Sequence, residues 1–159
     1  MIRFICREEI PEVVCVIRES FLTVAEMLGL TPENAPRFTA FATTIERLTW
    51  QFDAGRTMRA CEQDGRIVGY YSLDVQDGGR IELNNLCVLP AYRHSGIGAC
   101  LLEDAFRLAR EKGADVLHIG IVEENRVLRR WYEAAGFVHT GTKKFDFFPF
   151  TCGYMKKTL

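Results

Sequence analysis

The segment Arg93-His94-Ser95-Gly96-Ile97-Gly98 sets an arginine and two glycines where an apolar run gives way to a helical pattern. A strand-to-helix junction presents unpaired N–H groups and the positive end of the helix dipole, which together favour an anion. Gly96 and Gly98 take side chains away where a ligand's phosphates would press on the backbone, and Arg93 adds charge. The segment lacks the G-x-x-x-x-G-K-[ST] of a triphosphate loop and the third glycine of a dinucleotide fingerprint. The same glycines also permit a simple tight turn, so the loop alone leaves both readings open.

Two further residues gain meaning from their spacing. Asn125 and Tyr132 are seven apart on a predicted helix, so they return to nearly the same azimuth, roughly 10 Å apart along the axis. Two groups so placed can touch an extended ligand at two points; equally, Asn125 can be an N-cap and Tyr132 a core aromatic. Trp131 lies on another azimuth and is expected in the core. Glu82, between Ile81 and Leu83, sits where a partly apolar setting would raise its pKa towards that of a useful base. It can also be a solvated strand residue. Asn84 and Asn85 either line a site or satisfy backbone groups. Glu123 and Glu124 read as charges favourable to the helix dipole.

The elements that must position these residues follow from hydrophobic period and punctuation. Ile2 to Cys6 reads as a strand, and Pro11 opens a helix to about Leu28 that Gly29 ends. Thr31 to Asn34 looks like a helix entry, and a second helix is expected over Pro36 to Phe52. Strands are expected at Thr57 to Glu62, Arg66 to Val75 and Arg80 to Leu89, with Asp64-Gly65 and Asp77-Gly78-Gly79 as turns. A helix starts near Ile97 and ends at Gly113. Val116 to Val122 reads as a strand buried on both faces, Asn125 opens a helix that Gly136 ends, and Phe137 to Phe147 and Phe150 to Met155 are final strands. That order, seven strands and four helices, describes an α/β (α+β) protein with one mixed sheet.

The 159 residues fit a single domain, with 48% hydrophobic and 26% charged residues, as in a folded globular protein. A net charge of −1 gives no pull towards nucleic acid or an anionic membrane. No apolar run approaches the ~18 residues of a membrane span, and charge appears at once at Arg3, so a cytoplasmic location is expected. The six cysteines form no C-x-x-C pair and read as reduced, mostly buried thiols, and the three histidines show no metal-ligand spacing. No metal is expected.

Leu86-Cys87-Val88-Leu89-Pro90-Ala91-Tyr92-Arg93-His94-Ser95-Gly96-Ile97-Gly98 resembles the cofactor motif of the GNAT acetyltransferase superfamily, R/Q-x-x-G-x-G/A after a strand ending in V-x-P. Asn125, Trp131-Tyr132 and Gly136-Phe137 resemble its second signature. The likeness covers the whole chain, 1–159, and is strongest from Glu82 to Phe137. It implies a mostly antiparallel sheet of about seven strands with about four helices and a V-shaped splay between two parallel strands, which a bulge at Asn84-Asn85 would open. It implies acetyl-CoA as co-substrate, its pyrophosphate held by the amides of Arg93, His94, Ser95, Gly96, Ile97, Gly98 and Ala99, and its pantetheine lying along Leu86, Cys87 and Val88.

By the same resemblance Asn125 and Tyr132 touch the cofactor arm, Tyr132 faces the departing thiolate, the Val88 amide faces the thioester oxygen, and Glu82 is the general base. The attacking group would be a primary amine of a small molecule or a protein. Phe21, Phe38, Phe41, Trp50, Phe145, Phe147, Phe148 and Phe150 would surround it, or form core and a homodimer interface, and Asp146 could pair with an ammonium. The rival reading is a coenzyme A-binding regulatory domain without turnover.

Overall fold

A computed structural model describes all of residues 1–159. The chain runs β1 (Ile2–Phe4), α1 (Ile10–Leu28), α2 (Thr39–Ala42), α3 (Ile45–Asp53), β2 (Thr57–Gln63), β3 (Arg66–Val75), β4 (Ile81–Val88), α4 (Ile97–Glu111), β5 (Val116–Val122), α5 (Arg126–Ala134), β6 (Val138–Lys144) and β7 (Thr151–Thr158). One sheet holds all seven strands in the order β1-β2-β3-β4-β5-β7-β6. Only β4 and β5 are parallel neighbours, so the expected mixed, mostly antiparallel sheet is present.

The helix expected over Pro36 to Phe52 is two helices, which raises the helix count to five. Thr43 and Thr44 are extended, and the Thr44 hydroxyl accepts from the Arg47 amide to cap α3. Adjacent β-branched residues with a competing hydroxyl favour such a break. Thr31 to Asn34 is a turn rather than a helix entry: the Thr31 amide donates to Asn34 Oδ1 and the Asn34 amide to Thr31 Oγ1. The last strand runs three residues beyond Met155, because β5 offers it partners from Val122 back to Val116.

The faces of the sheet are read from alternation along the strands. Tyr71 donates to Asp104 of α4 at 2.7 Å, and Arg59 pairs with the same carboxylate at 2.9 Å, so their face lies under α4. Arg107, half exposed, also binds Asp104, and removing one partner of the buried Arg59–Asp104 pair would cost about 3–5 kcal/mol. Gly69 shares that face; a Cβ there would come within 2.8 Å of Leu101, so glycine lets α4 settle on β3. Leu73, Leu83, Ile119 and Met155 lie side by side in register across four strands and are all buried.

The opposite face is packed by α1 over β3 and β4, but further along it carries polar residues. Asp74, Glu82, His118 and Lys156 form one cross-strand row on it. The expectation that β5 is buried on both faces is therefore corrected. Leu117, Ile119 and Ile121 are buried, whereas His118 is only partly covered and Gly120 is exposed, because no helix covers that part of the strand. All six cysteines are free, but fewer are buried than expected: Cys61 and Cys87 are buried, Cys152 is half-buried, and Cys6, Cys15 and Cys100 are exposed. No helix is long and apolar enough to cross a membrane.

Candidate active site

The site begins where β4 leaves β5. Their parallel pairing covers only Ile81–Leu83 against Leu117–Ile119. On its other edge β4 stays with β3 but slips register, the four residues from Asn84 to Cys87 matching three from Ser72 to Tyr70. Asn85 supplies the extra residue at φ 54°, a left-handed conformation that asparagine tolerates better than most. The bulge turns β4 away and opens a wedge. Neither Asn84 nor Asn85 satisfies a backbone group there, so asparagine at 85 matters for its backbone. The Leu89 amide donates to Val68, which fixes the alternation: Leu86 and Val88 turn their peptide groups away from β3 and towards the wedge. Cys87 points elsewhere, its peptide facing β3 and its thiol buried; burial first, set against the Ser20 hydroxyl, pushes that thiol up to about 12.

Beyond Val88 the chain makes a 3-10 turn, Pro90–Tyr92, and enters the glycine loop. The amides of Tyr92 and Arg93 return to Leu89 and Pro90, and that of Cys100 to Gly96. Between them the amides of His94, Ser95, Gly96, Ile97, Gly98 and Ala99 bond to nothing in the protein. His94, Ser95, Gly96 and Ala99 are exposed, and no side chain fills the crevice. Gly96 caps α4 at φ 87°, where any other residue would be strained. Six bare amides at the start of a 15-residue helix are the donor set a diphosphate requires.

Arg93 does not add its charge to this crevice. Its guanidinium turns inward, donating from Nε to the Val88 carbonyl at 3.0 Å, from Nη1 to Thr23 Oγ1 at 3.0 Å and from Nη2 to the Ser20 carbonyl at 2.8 Å. It ties α1 to the end of β4 and to the loop, and its own amide is occupied as well. Five planar donors in a fixed fork make such a three-way tie possible.

Across the wedge stands α5. Asn125 caps it, accepting from the Leu128 amide at 3.3 Å, and is buried. Tyr132 is buried too, between Trp131 and Phe137. Burial, then the nearby Cys87 thiol, raises its pKa well above the ordinary tyrosine value, so its phenol keeps its proton, and no protein group hydrogen-bonds to it. Trp131 is not core. It is 36% exposed, and its ring lies 3.5 Å from where a Cβ on Gly98 would stand, so it flanks the loop. Its azimuth, distinct from that of Tyr132, faces α4, a neighbour that periodicity within one helix does not disclose. Glu123 and Glu124 do more than favour the dipole: Glu123 binds Arg129 at 2.8 Å and His139 at 2.9 Å, and Glu124 accepts from the Thr151 amide at 2.9 Å.

Glu82 lies on the open sheet face, partly covered. Burial raises its pKa, opposed by Arg80 and by the amide of Gln76, which donates to it at 3.4 Å. Tyr154, which sequence reasoning missed, shares this face: its register partner is Gly120, and its phenol pKa is raised by burial, then by Cys152 and Glu82. The aromatic residues divide. Phe38 and Phe150 are buried, with Phe21, Phe41 and Phe148 packed against them, joining α1, the α2 segment and β7 in a second apolar cluster. Phe147 is 40% exposed under the Arg37 guanidinium, and Trp50 is exposed. No three His, Cys, Asp or Glu side chains are grouped to hold a metal ion.

A parallel pair splayed by a bulge, beside a glycine loop with bare amides, defines an acyl-CoA N-acyltransferase fold. The model of the Acetyltransferase (GNAT) family matches residues 24–137, more than half of the chain, and the chain belongs to that family. An uncharacterised N-acetyltransferase of Mycobacterium tuberculosis is 34% identical over 93 residues, 58% of this chain and 60% of that protein; the match spans less than two thirds of its length. The PaiA N-acetyltransferase of Thermoplasma acidophilum, solved in complex with coenzyme A, superposes with a TM-score of 0.85 at 21% identity, covering 100% of this chain and 98% of that one. The ribosomal-protein-alanine N-acetyltransferase of Brucella melitensis gives 0.77 at 24% identity, over 100% and 99%. At these identities the two structures speak for the fold.

Proposed function

We propose that residues 1–159 act as one domain that transfers an acetyl group from acetyl-CoA to a primary amine of a small molecule or a protein, by direct attack. The observation that carries this reading is the run of unbonded amides from His94 to Ala99, placed at the mouth of the β4–β5 wedge. They would hold the diphosphate, while the edge of Leu86 and Val88 would pair with the pantetheine amides. Asn125 would meet the same arm from α5. The bound coenzyme supplies an activated thioester.

Tyr132 keeps its proton at neutral pH and has no partner in the protein, so it can donate to sulfur as the thiolate leaves. Complete transfer to sulfur from even an unperturbed tyrosine is uphill by about 2 kcal/mol, so it acts mainly as a hydrogen-bond donor to the developing charge. The Val88 amide faces the thioester oxygen in the same way. Glu82, with its raised pKa, would take the amine's proton. Simple cofactor binding requires neither Tyr132 nor Glu82, and this favours an enzyme over a silent coenzyme-binding domain.

Incubation with acetyl-CoA and a broad amine panel, following thiol release, tests the reading. Amine-dependent release is expected, with Tyr132→Phe lowering kcat by about 100-fold and leaving coenzyme affinity within twofold. Tight coenzyme binding without release on any amine would favour the silent domain.

A further inference from the structure

Arg80, His118 and Lys156 meet on the open sheet face without a counter-ion of their own. His118 and Lys156 follow Glu82 on successive strands of one cross-strand row, and Arg80 lies two residues before Glu82 on the same side of β4. Burial, then the charges of Arg80 and Lys156, lowers the pKa of His118, so both cations stand beside a ring that is neutral at neutral pH. The ion pair nearby, Arg56 with Asp74 at 3.1 Å, includes none of the three. Glu82, the carboxylate of the row, takes its hydrogen bond from Gln76 instead of a cation. Two fixed positive charges thus flank a partly covered imidazole, and no group of the chain is paired with them.

This recess has a fixed relation to the wedge. Strands β4 and β5 part after Leu83 and Ile119, one residue beyond the row. There Gly120 is exposed, and the Tyr154 ring lies 4.0 Å from where a Cβ on Gly120 would stand. A glycine at 120 keeps the floor low, so a ligand has a path from the wedge across Glu82 to His118. Neighbouring strands are about 4.8 Å apart, so an anion over His118 stands roughly 5 Å from an amine at Glu82. That span suits a small molecule with both charges on one short skeleton, whereas the two cations repel a polyamine.

We propose that Arg80, His118 and Lys156 form an anion subsite, and that the acceptor is a primary amine bearing a carboxylate or phosphate roughly 5 Å from its nitrogen. The inference rests on the acetyl-transfer reading above. Opposite charges at the two ends of the acceptor then fix which end faces the thioester, so the three basic residues set specificity and do not take part in the transfer. A bound anion offsets Arg80 and Lys156, and His118 takes up a proton more readily in its presence. The other titratable groups around the ring are Glu82 on β4 and Tyr154 on β7, with the Arg56–Asp74 pair beyond them.

Amines supplied with and without an anionic group test this by thiol release, among them γ-aminobutyrate against its amide and phosphoethanolamine against ethanolamine. An anionic member should exceed its neutral partner in kcat/KM by about 10-fold or more, and the pair that shows it tells carboxylate from phosphate. Arg80→Gln and Lys156→Gln, both at exposed positions, should each lower that preference about 5-fold through the acceptor KM, with kcat and coenzyme affinity within about twofold. Equal rates within every pair, or a preference that survives the double variant, overturn the subsite while acetyl transfer stands. A protein that binds coenzyme A but releases thiol with no amine removes the transfer reading instead. The subsite is then decided by NMR on the free protein: glutarate or inorganic phosphate should raise the pKa of His118, and an unchanged titration with both overturns it.

Discussion

On one side of the wedge the crevice from His94 to Ala99 is made of main-chain amides, and the charged side chain nearest to it, Arg93, is turned away. The sheet face beyond β4 is the reverse: its groups are side chains from β3, β4, β5 and β7, brought together by register. A site made of backbone binds a feature shared by every coenzyme A thioester and leaves little for side-chain substitution to alter. A site made of side chains can be rewritten residue by residue. On the proposed reading the first would serve the coenzyme common to the family, and the second would select the amine.

The contrast can be broken at its strongest point by filling the crevice. Gly98→Trp would meet Trp131 and cover the amides, and coenzyme affinity measured by calorimetry should fall more than about 100-fold, ~2.7 kcal/mol. Unchanged affinity would mean that the diphosphate sits elsewhere. Arg93→Lys sharpens the same side. Lysine keeps the charge but cannot reach Ser20, Thr23 and Val88 together, so affinity should drop about 10-fold, ~1.4 kcal/mol. Full retention by lysine would show that charge at the phosphates matters and the tie does not. The smallest effect belongs to the other side: Phe147→Ala, beyond the wedge, should leave coenzyme affinity unchanged and move the acceptor KM about threefold, ~0.6 kcal/mol. A change in coenzyme affinity instead would join the two regions that the fold separates.

What could be read from the residues alone follows the same division. The loop, the Asp64-Gly65 hairpin and the Asn125 cap are local, written in residues that tolerate unusual φ or cap helices, and each lies where expected, whereas the bulge at Asn84-Asn85 followed from the family resemblance. Arg93, Trp131 and Tyr154 take their surroundings from elements distant in the chain, α1, α4 and β5, and neither period nor spacing encodes those neighbours. The break at Thr43-Thr44 was legible in principle, since two β-branched residues in a row weaken a helix, but the apolar period runs through it. The polar face of β5 was hidden because Gly120 counts as apolar in a run.

The wedge also divides the sheet mechanically. Three register pairs between β4 and β5 are the entire main-chain joint between β1–β4 and β5–β7, reinforced by side chains beneath α4 such as Phe106 against Phe137. Whatever lies in the gap and bonds to both banks adds rungs to a hinge that has few of its own. Deuterium should therefore enter the amides lining the gap sooner than those of β2 and β3, and coenzyme should slow that entry and lift the melting temperature together. The protein's resistance to heat then becomes a measure of its ligand supply.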